Sequence, residues 1–329
     1  MSELIITNGD SAAELLAAAG LAGRILPWRD VLHEGPLLPA ARLEDLSETR
    51  ARYLSERFDL PFAETRTEFL ARDAVVSAHG LFDRVAIWLE HDLYDQLQLL
   101  QVLHFFHREN RTEGLFLVQA DDFIGSQSPD TVLRFGQTAT PVTREAAAHA
   151  AAIWDSLTRP TPEPVVRRLR EPMGMFPFLA DALRRFLEEL PSAENGLSRS
   201  AQVIVSVIGE GDNTARDVFA RLLASEEAAF MGDWSAFRLI DDLAIAPEPL
   251  VSGLPTLFPC RGDAVSVAQY LAAPLSLTPL GEAVLAGEAD VIAVNGIDCW
   301  WAGTHMTSHE TWRWDGMGQM LVPPGGARA

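Results

Sequence analysis

The first 125 residues alternate between short apolar runs and amphipathic helical patterns, and this alternation constrains the fold more than any other feature. The apolar runs of strand length are Leu4–Thr7, Arg24–Pro27, Arg84–Leu89 and Leu115–Val118. The helical patterns between and after them are Ser11–Ala19, Ser47–Phe58, Phe62–His79 and Leu93–Arg108. Strands that are joined by helices run parallel, with right-handed crossovers. The pattern therefore predicts an α/β domain over residues 1–125, with an open and mostly parallel sheet.

The remainder of the chain is mainly helical. Residues 126–196 are predicted to be a helical connector, with a short strand near Val132–Phe135 and a stiff Pro-rich linker over Arg159–Pro164. Residues 197–329 are predicted to form a winged-helix-like domain. Its predicted elements are three helices, Ser198–Ile208, Thr214–Ser225 and Asp233–Leu243, and a terminal hairpin that joins Cys299–His305 to Thr311–Trp314.

Composition excludes several classes of function. The formal net charge is −20, which disfavours binding to nucleic acid or to an anionic membrane surface. All 26 basic residues are arginine, so no Schiff-base lysine or Walker A lysine is present in the sequence. The two cysteines form no C-x-x-C pair, and no run approaches the roughly 18 apolar residues of a membrane span. With no signal-peptide pattern at its start, the chain is expected to be cytoplasmic.

Polar residues collect where the predicted strands end. They are Asn8, Gly9, Asp10 and Ser11 after the first strand, Trp28, Arg29 and Asp30 after the second, Glu90, His91 and Asp92 after the third, and Asp121 and Asp122 after the fourth. Open parallel sheets bind ligands outside the carboxyl ends of their strands, at a switch in strand order. We therefore expect a cleft there that binds a small polar ligand, phosphorylated or nucleotide-like.

The turn Gly9-Asp10-Ser11 leaves three interpretations open. A glycine turn into a helix N-terminus presents free N–H groups, and Asp10 beside them favours a ribose hydroxyl, an amine or a metal-bridged phosphate over a bare anion. The block also resembles the opening of GDSL-type esterases, with Ser11 as nucleophile. The late D-x-x-H of those enzymes is matched only by Asp30–His33, which comes too early. The third interpretation is a plain helix N-cap.

The second block mixes residue types suited to binding and to proton transfer. Trp28 could stack on a planar ligand and Arg29 could bind a carboxylate or phosphate, with Glu34 as a further ligand contact. Asp30 and His33 are candidate acid–base residues. The alternative is an Arg29–Asp30 pair that only orients a loop.

The third block, Glu90–Gln96, opens a helix. Asp92 as N-cap and Asp95 in the first turn are expected from helix electrostatics, while Glu90 and His91 are candidate catalytic residues. Asp92, Asp95 and Gln96 are also expected to contact the ligand. Oxygen-rich coordination by Asp10, Glu90, His91 and Asp92 would suit Mg²⁺ or Mn²⁺ better than zinc. A metal site and a metal-free site both remain open.

Three separated blocks resemble, in order, a bacterial family known as domain of unknown function 1835. They are Thr7-Asn8-Gly9-Asp10-Ser11, Leu26–Pro36 and Glu90–Leu97. The tail from Leu277 through Trp312–Asp315 is similar to the C-terminal half of long members, although Cys299 stands where an Arg is expected. The family has no established activity, so the resemblance implies which blocks matter and assigns no role to any residue.

Two functions follow from these patterns. The first is a metal-assisted hydrolase or transferase that acts through Asp30, His33, Glu90 and His91. The second is a non-catalytic ligand sensor whose C-terminal half contacts a protein partner or a second copy of the chain. The helix that starts at Asp233 has one basic residue, Arg238, followed by Asp241 and Asp242, and this pattern favours protein contact over DNA.

Overall fold

A computed structural model describes residues 2–211 and 213–326 of the protein. Its main sheet has five strands in the order β2-β1-β3-β4-β5. They are β1 (Glu3–Thr7), β2 (Arg24–Pro27), β3 (Arg84–Leu89), β4 (Leu115–Gln119) and β5 (Thr140–Pro141). The first four are parallel, and β5 pairs antiparallel with β4. The predicted α/β class with a mostly parallel sheet is confirmed.

Fourteen α-helices lie within the described residues. Those of the first 200 residues are α1 (Asp10–Ala18), α2 (Leu43–Arg57), α3 (Phe62–Ser77), α4 (Leu93–Arg108), α5 (Pro129–Gly136), α6 (Arg144–Leu157), α7 (Glu163–Arg168) and α8 (Leu179–Leu187). The others are α9 (Arg199–Gly209), α10 (Ala215–Ala224), α11 (Asp233–Ile245), α12 (Ala264–Leu271), α13 (Pro279–Leu285) and α14 (Val291–Asn295). None of the helices in the described part is long and apolar enough to cross a membrane.

Side chains of the parallel strands alternate between two buried layers, as the period of a β-strand requires. Leu4 and Ile6 of β1 join the larger cluster, which includes α4 and α6. Ile5 faces the opposite way and packs with Leu16 of α1 and Val132 of α5. The sheet is therefore covered on both faces, which explains why its strands are apolar throughout.

The second part of the chain carries a small three-stranded antiparallel sheet in the order β6-β8-β7. Its strands are β6 (Asn213–Thr214), β7 (Val251–Ser252) and β8 (Pro274–Leu277). Along the chain, α9 precedes β6, and α10 and α11 lie between β6 and β7. This arrangement places three helices beside one small sheet.

The predicted terminal hairpin is wrong in its pairing. β9 (Asp298–Trp301) pairs with β10 (Thr304–Thr307), and β11 (Arg313–Asp315) pairs with β12 (Met320–Val322). The two hairpins are separate because the tight turn at Ala302, whose φ is 51°, returns the chain at once.

Two local predictions in the connector are also wrong. Val132–Phe135 belongs to α5, which begins after Ser128, whose side chain accepts the N–H of Thr131. The Pro-rich linker is not extended throughout, since α7 begins at Glu163 with a proline in its first turn.

Hydrogen bonds connect the end of the chain to its beginning and to its middle. The backbone N–H of Leu37 donates to the carbonyl of Ala302 at 2.9 Å. The indole N–H of Trp301 donates to the carbonyl of Phe186 at 2.8 Å. The larger buried cluster includes residues of all three predicted segments, from Leu4 to Trp314. The three-domain division stays a prediction.

Candidate functional site

Strand order places a crevice between β1 and β3. β2 lies on one side of β1 and β3 on the other, so the chain reverses direction across the sheet at this point. Such a switch point, at the carboxyl ends of the strands, is where open α/β sheets bind ligands. Asn8 follows β1 here, and Glu90 follows β3.

Three buried carboxylates meet at this crevice: Glu90, Asp92 and Asp95, hereafter the carboxylate cluster. Each offers an oxygen, and these atoms lie within 4.8 Å of one another. The residues are 4%, 3% and 0% exposed. Across residues 2–211 and 213–326, no other three His, Cys, Asp or Glu side chains come as close together. The cluster joins the end of β3 to the first turn of α4.

Neutral donors surround the carboxylate cluster. Asp95 Oδ1 accepts the backbone N–H of Glu90 at 2.7 Å, and its Oδ2 accepts Asn8 Nδ2 at 2.9 Å. Glu90 Oε1 accepts the backbone N–H of Ile124 at 2.6 Å. Asp92 Oδ1 accepts the N–H of Asp95 at 3.1 Å, as an N-cap does. Among the described residues, no Arg or His lies within ion-pair distance of these carboxylates.

Burial and mutual repulsion raise the proton affinity of the carboxylate cluster. Burial, and then the charge of Glu90, raise the pKa of Asp92 to about 7. Burial also raises the pKa of Glu90. The pKa of Asp95 lies well above its usual range because of burial and the charges of Asp92 and Glu90. Three negative charges cannot be held together here without a proton or a cation.

Amide groups extend this set of oxygen atoms. Gln96 Nε2 donates to the carbonyl of Glu90 at 2.7 Å, while its Oε1 is buried and has no partner within the described part of the chain. Asn8 holds its amide against Asp95, and a flip of that amide would present Oδ1 instead. Carboxylate and amide oxygens are ligands that Mg²⁺ and Mn²⁺ prefer.

His91 lies beside the carboxylate cluster but faces a different environment. Its ring packs against those of Phe123 and Phe178, at centroid distances of 5.1 and 6.0 Å. His91 and Leu93 line a cavity of about 260 Å³ that also includes Arg184, Arg185 and Arg199. Each of these arginines is paired with a carboxylate at 2.6 Å. Of the ionisable residues in the third block, His91 is the one that lines this cavity.

The first block reaches the same edge of the sheet but does not join the carboxylate cluster. Arg29 binds Asp10 through Nε, at 3.0 Å to both carboxylate oxygens, and through a guanidinium nitrogen at 2.5 Å to Oδ1. Both side chains are more than half exposed. The expected metal-ligand role of Asp10 is therefore not supported. Gly9 is the extended N-cap of α1, and Ser11 is exposed, with no hydrogen bond to a histidine in the structure as described.

The ligand-stacking role predicted for Trp28 is wrong. Trp28 is fully buried, and its indole N–H donates to Gln101 Oε1 at 2.6 Å. The guanidinium carbon of Arg72 lies 4.1 Å from the centre of the Trp28 ring. The ring therefore belongs to the core and has no face open to a ligand.

Asp30 is also in the core, where it does not fit an acid–base role. Its Oδ1 accepts Arg50 Nε at 2.9 Å, and neither side chain is exposed. Arg50 further donates to the carbonyls of Val31 and Glu34 at 2.7 and 2.6 Å. This ion pair fixes the loop that follows β2.

His33 and Glu34 are not members of the carboxylate cluster. His33 is packed edge-on to Phe230 at a ring distance of 5.0 Å, and burial lowers its pKa. Neither ring nitrogen has a hydrogen-bond partner among the described residues. Glu34 accepts Arg57 Nε at 3.1 Å. The second block thus meets the third at Tyr94, whose ring lies 6.1 Å from that of His33, but supplies no member of the carboxylate cluster.

One contributor to the site gave no signal in the sequence. The Ile124 N–H lies in a short 3-10 helix, Ile124–Ser126, after β4, and a backbone donor leaves no mark on residue type.

In comparisons with known proteins, none of the models of protein families matches this chain, and no curated protein matches it either.

Proposed function

We propose that the α/β part of this protein binds a divalent cation, Mg²⁺ or Mn²⁺, through Glu90, Asp92 and Asp95. The cation would hold a small anionic ligand, phosphorylated or nucleotide-like, at the carboxyl edge of the sheet. One observation carries the proposal: three carboxylates are buried together at the switch point with no basic partner among the described residues. A hard cation such as Mg²⁺ would neutralise these negative charges, and carboxylate oxygens are the ligands that it prefers.

The proposal extends to the ligand because Mg²⁺ rarely fills its coordination shell from protein alone. It keeps water or takes up substrate phosphate oxygens at its remaining positions. A cation at this edge would therefore draw a phosphorylated molecule toward His91 and its cavity. A bound metal ion polarises phosphoryl oxygens and lowers the pKa of its water. In this proposal His91, which lies between Glu90 and Asp92 in the chain, would exchange the proton, and hydrolysis or group transfer is the reaction class that follows.

The experiment is a cation titration of metal-stripped protein. After EDTA treatment, MgCl₂ and MnCl₂ are titrated while heat release and melting temperature are recorded. We expect saturable binding and a rise in melting temperature with each cation, because ligands that bind only the folded state stabilise it. Asp92→Asn should abolish both signals. Asp10→Asn, which makes the same change at an exposed aspartate of the neighbouring helix, should preserve them.

A second titration tests the ligand. ADP and inorganic phosphate are added to the protein with and without Mn²⁺. The proposal requires ADP binding that depends on the cation. If ADP bound equally tightly in EDTA, the cation would have no role in ligand binding. The non-catalytic ligand sensor would then be the preferred function.

We further propose that residues 199–277 form a winged-helix-like module and that the chain is related to domain of unknown function 1835. The order of α9, β6, α10, α11, β7 and β8 supports the first proposal, since three helices and a three-stranded sheet are its requirements. The wing would then be the β7–β8 connection rather than the terminal hairpin. The three N-terminal blocks continue to support the second proposal.

The contacts of α11 favour a role in protein contact over DNA binding. Asp242 of α11 accepts Arg57 of α2 at 2.8 Å, and Trp234 packs on Phe58 at a ring distance of 5.7 Å. Arg238 is paired with Asp241 at 3.3 Å. A helix packed in this way has no free cation for a phosphate and no open face for a groove. The module would instead couple the ligand site to a protein partner or a second copy of the chain.

A further inference from the structure

A second and larger cavity lies toward the opposite end of α4. Its volume is about 800 Å³, within the range of small-molecule sites. The last turns of α4 form one wall, α6 forms another, and residues 38–46 close it. His104 follows Asp92 by twelve residues of helix, or roughly 18 Å, so this cavity is distinct from the carboxylate cluster.

Three basic side chains share one face of α4 in this cavity: His104, His107 and Arg108. Their spacing of three and four residues brings them together. Burial lowers the pKa of His104, the charges of Arg108 and His107 lower it further, and the charge of Asp155 opposes the shift. A helix C-terminus favours cations, and that explains part of the pattern. Three carboxylates, Glu44, Glu109 and Asp155, also line the cavity and offset part of this charge, so what matters is which basic side chain is left unpaired.

Arg108 is the arginine of this cavity that is left without a carboxylate partner among the described residues. Its guanidinium donates to the carbonyl of Ala40 at 3.1 Å and forms no ion pair with any residue that the structure describes. His104 Nε2 lies 3.6 Å from Asp155, the one carboxylate of α6 that lines the cavity. Arg108 can therefore still bind an anion through its remaining N–H groups.

The opposite wall of the cavity is apolar and open. Ala148, Ala151 and Ala152 lie on one face of α6, and their short side chains leave space in front of α4. Phe105 and Leu43 add further apolar surface. Apolar walls with a few convergent polar groups are typical of small-molecule sites.

A buried amide completes the lining. Gln101 is 2% exposed and its Oε1 accepts the indole N–H of Trp28, while its Nε2 has no hydrogen-bond partner within residues 2–211 and 213–326. An unpaired buried donor is costly, and an acceptor on a ligand would remove that cost. We propose that this cavity binds a small organic anion: an apolar body against α6, with one carboxylate or phosphate group on Arg108.

The test uses ligands that share one apolar body and differ in their head group. Phenylacetate, phenyl phosphate and benzyl alcohol are titrated into the full-length protein by calorimetry, with inorganic phosphate as a head group without a body. We expect one or both aromatic anions to bind with a Kd on the order of 1 mM or lower. Which anion binds more tightly decides between carboxylate and phosphate. Benzyl alcohol and inorganic phosphate should each bind at least about tenfold more weakly.

Two variants locate the site. Arg108→Gln should weaken binding of the anion about tenfold or more, because a charge-assisted contact is lost. The matched control is Arg144→Gln, which removes the same charge from an exposed position at the start of α6 outside the cavity. Ala152→Phe should block the cavity while leaving the circular dichroism and the melting temperature near those of the wild type.

The outcomes are distinct from those of the cation test. The proposal is overturned if neither aromatic anion binds at a concentration of about 10 mM, because a site of this size should bind such a ligand more tightly than that. It is also overturned if benzyl alcohol binds as tightly as the anions. Equal weakening by Arg108→Gln and Arg144→Gln would show that net charge alone is responsible.

Discussion

Replacing Asp92 with asparagine should stabilise the cation-free protein above neutral pH. Asparagine has nearly the same shape and caps a helix as well as aspartate, so the hydrogen bond from the Asp95 N–H is retained. What is lost is a buried charge beside Glu90 and Asp95. The substitution therefore separates the electrostatic cost of the carboxylate cluster from its role as a cap.

The magnitude follows from the pKa of Asp92, which is about 7 in the folded protein. An unfolded aspartate has a pKa near 3.9. Between these values the folded state binds more protons than the unfolded state, so stability falls as pH rises. The loss is complete above the folded pKa and is on the order of 4 kcal/mol, at 1.36 kcal/mol for each pKa unit. Asp92→Asn should abolish this loss.

The assay is urea unfolding at about pH 5 and about pH 8, in EDTA and in excess MgCl₂. In EDTA the wild type should lose stability between the two pH values, and Asp92→Asn should lose less. Excess Mg²⁺ should restore stability to the wild type at about pH 8 and leave Asp92→Asn unchanged. Asp10→Asn, the exposed control, should stay within about 1 kcal/mol of the wild type, as surface ion pairs do. If Asp92→Asn were less stable than the wild type at about pH 8 in EDTA, the charge would be favourable and the reasoning refuted.

Three further predictions test the assignments of the remaining residues. Arg50→Met should destabilise the fold by about 3–5 kcal/mol in urea unfolding, because buried Asp30 loses its hydrogen-bonded partner and keeps only Arg72, 4.0 Å away, whereas Arg42→Met at an exposed pair should have a much smaller effect; equal effects would contradict a structural role for the Arg50–Asp30 ion pair. Burial lowers the pKa of His33, so just below about pH 6.5 the unfolded state takes up the proton of this residue before the folded state does. His33→Leu should therefore lose less unfolding free energy than the wild type when urea unfolding is repeated below that pH. An unchanged dependence of the unfolding free energy on pH would count against this. The intact chain should not be retained on duplex DNA at any salt concentration, since α11 is packed against α2; salt-dependent retention would reverse that assignment.

Local periodicity was sufficient for most of the main elements. The bounds of α4, Leu93–Arg108, are those predicted, because Asp92 caps its start and its hydrophobic pattern continues to the end. Val132–Phe135 was misread because a short apolar run is compatible with either a strand or a turn of helix. The pairing of the last hairpins depends on tight turns, which hydrophobic pattern does not specify.

The candidate site was located by the sequence but its members were only partly predicted. Glu90, Asp92 and Asp95 are close in sequence, so their meeting follows from a strand that ends where a helix begins. Trp28 packs against Arg72 and Asp30 pairs with Arg50 in the core, and both arginines belong to helices further along the chain. Such tertiary pairs leave no local pattern in the sequence. A block of polar residues at a strand end can therefore lie in the core and take no part in ligand binding.

The most direct test of the central claim is X-ray diffraction from crystals soaked in MnCl₂, with anomalous scattering recorded for manganese. We predict one strong anomalous peak at the carboxyl ends of β1 and β3, from manganese coordinated by oxygens of Glu90, Asp92 and Asp95, and no such peak in Asp92→Asn crystals. Manganese elsewhere in the crystal, with the carboxylate cluster vacant and its oxygens hydrogen-bonded to one another, would contradict it.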